Sequence, residues 1–79
     1  MRITFNNNIN NVVKFVRICE QFAEDIDVHT SRFIVDGKSI LGVSGICMYP
    51  DITVKIVTDK ITKREEFYNA IADFAVRAG

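Results

Sequence analysis

The sequence predicts an α+β layer structure with the element order β-α-β-β-α-β-α. Three observations carry that prediction: apolar residues at helical spacing near both ends of the chain, alternating apolar runs between and before them, and turn-forming residues at the junctions. Strands with one apolar face need a cover, and the helices supply matching stripes. At 79 residues, 48% hydrophobic and 25% charged, the chain is expected to form a single domain over residues 1–79, since it is too short for two cores.

The elements follow in order. Ile3 and Phe5 alternate with Arg2 and Thr4 as in a half-buried strand, which the asparagine run Asn6-Asn7-Asn8-Ile9-Asn10-Asn11 then stops. From about Asn11 to Glu24, Val12, Phe15, Val16, Cys19 and Phe22 recur at i, i+3, i+4 and i+7, with Lys14, Arg17, Glu20, Gln21 and Glu24 elsewhere on the wheel. Ile26, Val28 and Thr30 alternate with Asp25, Asp27 and His29, and Arg32-Phe33-Ile34-Val35 continues a hairpin through a tight turn at Thr30-Ser31. After Asp36-Gly37, Ser39 is a good N-cap for a short helix ending near Gly45. Pro50 and Asp51 break the chain before the strand of Ile52, Val54 and Ile56. Thr62-Lys63-Arg64-Glu65 has the form of a capping box, and Phe67, Ala70, Ile71, Phe74 and Ala75 make the apolar face of a last helix. Phe15, Phe22, Val28, Ile56, Ile71 and Phe74 are the expected shared core.

Composition excludes several function classes. Ten basic and ten acidic residues cancel, so no electrostatic footprint points to nucleic acid or an anionic membrane surface. No stretch approaches the ~18 apolar residues needed to span a bilayer, and Met1-Arg2-Ile3-Thr4-Phe5 runs into asparagines without a signal-peptide core, so a cytoplasmic location is expected. Cys19 and Cys47 lie in apolar contexts without CxxC spacing and read as reduced thiols in or near the core. His29 shares a strand face with Asp25 and Asp27, opposite Ile26 and Val28, and is expected to face away from the helices. Asp27 and His29 are two metal-ligand types on one face with nothing at suitable spacing to complete a site, so neither a metal nor any other cofactor is expected.

Lys38-Ser39-Ile40-Leu41-Gly42-Val43 resembles the regulatory serine motif of the HPr family, the small phosphocarriers of the bacterial sugar phosphotransferase system. The resemblance covers most of the chain, and its strongest part runs ungapped from Gly37 through the last strand into the helix at Phe67. It implies an open-faced β-sandwich, a four-stranded antiparallel sheet with three helices on one face. It also implies that Ser39 is the site phosphorylated by HPr kinase/phosphorylase, and that Ile40, Leu41 and Met48 are the apolar residues that dock onto partner proteins. A serine that caps a helix can also accept phosphate, so the two readings of Ser39 are compatible.

The family's phosphocarrier motif is histidine, a small residue, arginine and proline. Counting back from Ser39, those positions hold Asn8, Ile9, Asn10 and Asn11, and no histidine occurs before residue 29. Imidazole can take and hand on a phosphoryl group, whereas a carboxamide nitrogen is delocalised into its carbonyl and is a poor nucleophile. Asn8, Asn10 or Asn11 can still cap a helix. The expected function is therefore regulatory or protein-binding through the Ser39 region, without catalysis. That is similar in logic to the catabolite-repression HPr paralogue, which also lacks the histidine. Expected partners are proteins: HPr kinase/phosphorylase, a transcriptional regulator or other phosphotransferase-system components. Two alternatives stay open, a phosphocarrier with an unrecognised acceptor and an HPr-shaped binding module without phosphorylation.

Overall fold

The asparagine run turns the chain as its composition dictates: Asn6 and Asn7 both take φ of 53°, a left-handed conformation that asparagine tolerates better than most residues. The chain then enters helix α1, Ile9–Glu20. The structure, a computed structural model, describes residues 1–76. Helix α1 begins earlier than its apolar stripe suggests because Asn8 caps it, and it ends at Gln21, whose N–H donates to the Ile18 carbonyl while Phe22 N–H donates to that of Cys19. Phe22, expected inside the helix, lies just past it yet stays buried, its ring edge-on to Phe67 at 5.2 Å.

Strands β1 (Ile26–His29) and β2 (Ile34–Asp36) form the expected hairpin. It closes through Thr30, whose N–H bonds the Phe33 carbonyl and whose Oγ1 accepts from the N–H groups of Arg32 and Phe33. Helix α2 spans Ile40–Ile46, strand β3 Thr53–Ile56, helix α3 Ile61–Ala70, and a 3₁₀ turn follows at Ala72–Phe74. The sheet is antiparallel in the order β2-β1-β3, with Ile26 opposite Ile56 and Val28 opposite Val54. Those four side chains are buried and close one core to which α1, α2 and α3 all contribute. Phe5, Phe15 and Phe74 meet edge-on at 5.3–6.0 Å in its centre. All six expected core residues are buried.

Three expectations are corrected. The sheet has three strands among the described residues, not four. Ile3 and Phe5 are buried as their alternation requires, but Arg2 and Ile3 make only isolated bridges, to Thr53 and Ala75. The segment divides its hydrogen bonds between two neighbours. Val54 N–H donates to Met1 and Ile3 N–H to Ile52 on one side, while Thr4 N–H donates to Phe74 and Val76 N–H to Arg2 on the other. No continuous ladder with β3 results. The capping box at Thr62 also does not form: Lys60 is the N-cap of α3 and makes no side-chain capping bond. Thr58 holds this end instead, its Oγ1 accepting from Lys60 N–H at 3.1 Å and its carbonyl from the Arg64 guanidinium at 2.9 Å. The last apolar stripe is split, since α3 stops at Ala70 and Ile71 and Phe74 are buried from the turn that follows.

Both cysteines are free thiols. Burial, reinforced by the negative charge of Asp36, pushes the Cys19 thiol up to about 12. It remains a protonated core group at neutral pH, inert as a nucleophile.

Candidate functional site

Two helix N-termini carry most of the residues singled out by sequence. At α1, Asn8 is extended (φ −116°, ψ 113°) and its Oδ1 accepts from Asn10 N–H at 2.9 Å. The Phe5 carbonyl accepts twice, from Asn8 N–H at 3.0 Å and from Asn11 Nδ2 at 3.1 Å, anchoring the cap to a core aromatic residue. Asn8 and Asn10 are exposed, and Ile9 beside them is 56% exposed. The ensemble offers amide donors and carbonyl acceptors but no imidazole and no cationic side chain at Asn8, Asn10 or Asn11.

At α2 the approach is tighter. Lys38 N–H donates to Asp36 Oδ1 at 2.9 Å and Ser39 N–H to the Asp36 carbonyl at 3.0 Å, forming a turn that delivers Ser39. Gly37 is buried in it, where a Cβ would lie 2.7 Å from Ile26 Cγ2. Ser39 Oγ accepts from Gly42 N–H at 3.1 Å, an N-cap with φ −101° and ψ 111°. Val43 and Ile46 point into the core, which leaves Ile40, Leu41 and Met48 outside at 44%, 84% and 70% exposure. Helix α2 packs beside α1, and a groove of about 220 Å³ between them is lined by Val13, Val16, Arg17, Glu20, Lys38 and Ile40.

Sequence reading missed Arg17 and Phe33. Arg17 looked like one more solvated helix position, but the packing of α1 against α2 brings it to the same groove as Lys38. Phe33 is half exposed and meets the ring of Tyr49 edge-on at 5.9 Å, with Tyr49 itself half-buried against the core. The carboxylate of Asp51 accepts from Ser31 N–H at 2.6 Å and ties the hairpin turn to the segment before β3. No short-range pattern signals either contact. His29 is half-buried on the strand side opposite Ile26 and Val28, and lines a different depression with Thr53 and Lys55.

The superposition that decides the fold is with HPr-C-His from Thermoanaerobacter tengcongensis, at a TM-score of 0.71 over 92% of this chain and 83% of that one, with 21% identity. The fold is HPr-like. Crh of Bacillus subtilis, the catabolite-repression protein whose crystal structure is described as a swapped, intertwined dimer, matches at a TM-score of 0.66 over 98% of this chain and 90% of that one, with 14% identity. No family model and no curated protein matches the sequence. At such identities the likeness establishes the shape, and the chemistry of the two helix N-termini rests on the residues this chain places there.

Proposed function

We propose that this chain is a phosphotransferase-system protein of HPr shape that acts in the bacterial cytoplasm by binding other proteins, and is neither an enzyme nor a histidine phosphocarrier. The observation that carries this reading is the contrast at the two caps. Asn8 occupies the N-cap of α1 and supplies no nucleophile, while Ser39 presents a hydroxyl at the cap of α2 beside exposed Ile40 and Leu41, with exposed Met48 just past the other end of the same helix. Exposed aliphatic residues on a short helix whose cap is a modifiable hydroxyl suit a small, transient interface whose strength a phosphate would alter. Its partners are a serine kinase of the HPr kinase/phosphorylase type, a transcriptional regulator or other phosphotransferase-system components.

Incubation of wild type and Ser39→Ala with HPr kinase and ATP, followed by intact-mass measurement, tests the reading. Wild type is expected to gain one phosphate and the variant none. An unmodified wild type moves the function to an HPr-shaped binding module without phosphorylation. Enzyme I and phosphoenolpyruvate are expected to leave the protein unlabelled, and acid-labile phosphate would show that an unrecognised acceptor, with His29 the first candidate, still carries the phosphoryl group.

A further inference from the structure

Remote from the two caps by its residues, a second polar site lies where the sheet meets α3. The β1–β3 register sets His29 opposite Thr53, and Lys55 follows Thr53 on the same strand face. On α3, Arg64 and Tyr68 are one turn apart and share a helix face. The fold brings all five together around a shallow depression of about 430 Å³, whose lining contains no aspartate or glutamate. None of these residues was grouped by sequence, because they come from three separate elements.

The donors are available. The one ion pair among the described residues joins Lys63 and Glu66, so neither Lys55 nor Arg64 has a carboxylate of a described residue within 4.0 Å. Asp27 is the acid nearest in register, opposite Lys55, and it does not line the depression. One guanidinium nitrogen of Arg64 donates to the Thr58 carbonyl at 2.9 Å, which holds the fork while leaving its other N–H groups free. In a chain of formal net charge zero, this is a local concentration of positive charge.

We propose that this depression binds the phosphate monoester of a small organic molecule. A lysine ammonium, an arginine fork, an imidazole N–H and the hydroxyls of Thr53 and Tyr68 offer more donors than the two oxygens of a carboxylate can use, whereas a phosphate monoester presents three terminal oxygens. The depression falls in the range of ~300–1,000 Å³ common for small-ligand sites, and the half-buried ring of Tyr68 gives the organic part a wall. The site does not involve Ser39 and stands apart from the function proposed above.

Titration of the ¹⁵N-labelled protein, followed by amide chemical shifts, tests it with ribose 5-phosphate, ribose and inorganic phosphate as probes. Ribose 5-phosphate is expected to give saturable shifts centred on Thr53, Lys55 and Tyr68, ribose none, and inorganic phosphate weaker binding at the same residues. Lys55 and Arg64 are exposed, so Lys55→Gln and Arg64→Gln should fold normally and each weaken binding about tenfold, the loss of one charge-assisted contact. Ser39→Ala should bind as wild type does. Shifts that do not saturate, that centre on α1 and α2, or that persist unchanged in both variants overturn the site. Equal affinity for inorganic phosphate and the ester overturns the assignment of an organic ligand.

Discussion

The N-termini of α1 and α2 use the same device for different ends. In each, an extended residue stops the preceding segment and offers a side-chain oxygen to a helical N–H, Asn8 to Asn10 and Ser39 to Gly42. Their approaches differ. Two left-handed asparagines lead into α1, whereas a turn closed by Asp36 and packed through Gly37 leads into α2. Their chemistry differs more, since a carboxamide cap satisfies a backbone donor and ends there, while a hydroxyl cap does the same and can also be phosphorylated. A cap is therefore a backbone solution that leaves function to the identity of the capping atom and its exposed neighbours.

The heaviest blow to the α1 side is Phe15→Ala. Phe15 is fully buried between Phe5 and Phe74, and its truncation is expected to cost about 3–5 kcal/mol, much of the stability of so small a domain. Urea denaturation measures this, and a loss below about 1 kcal/mol would mean that the aromatic cluster under the Asn8 cap is not tightly packed. The matching blow to the α2 side is Gly37→Ala, whose new Cβ would meet the stiff β-branched side chain of Ile26 at 2.7 Å. A loss of about 1–3 kcal/mol is expected, and unchanged stability would show that the turn before Ser39 can shift.

Asn8→Ala and Ser39→Ala should each lose about 1 kcal/mol, the worth of one cap. Their equality in thermal or urea unfolding, combined with loss of kinase modification in the Ser39 variant alone, would separate the shared structural role from the unshared chemical one. A much larger loss at Asn8 would indicate that its cap also organises the Asn6–Asn7 turn. The smallest change lies within α2 itself. Gly45 is exposed and a Cβ there meets nothing within 4 Å, so Gly45→Ala should stabilise the protein by about 0.5–1 kcal/mol, and a destabilised variant would contradict the open surface at this position.

Periodicity made most of the fold legible. The stripe Val12-Phe15-Val16-Cys19 and the alternation Ile52-Val54-Ile56 map onto buried faces of α1 and of β3 with its preceding residue. The same signal was right about burial at Ile3 and Phe5 yet misread as a ladder strand, because alternation reports which side chains are covered and not which backbone groups pair. The motif at Thr62 was present but unused, since the helix starts at Ile61 and leaves Thr62 inside its first turn. Of the candidate site, Ser39 as a cap was readable from local pattern, while the exposure of Ile40, Leu41 and Met48 was expected only from the resemblance to the HPr family. Arg17 and Phe33 were not.

The sequence by itself determined the α+β class, the core residues, the hairpin, the cap at Ser39 and the absence of an imidazole before α1, because each depends on residue type and on spacing within a few positions. Tertiary structure alone decided that the first segment bonds to two neighbours, that Arg17 and Lys38 share a groove, and that His29, Lys55 and Arg64 surround one depression. Those are relations among elements far apart in the chain. They follow from how strands register and helices dock, which the nearest-neighbour pattern of residues does not encode.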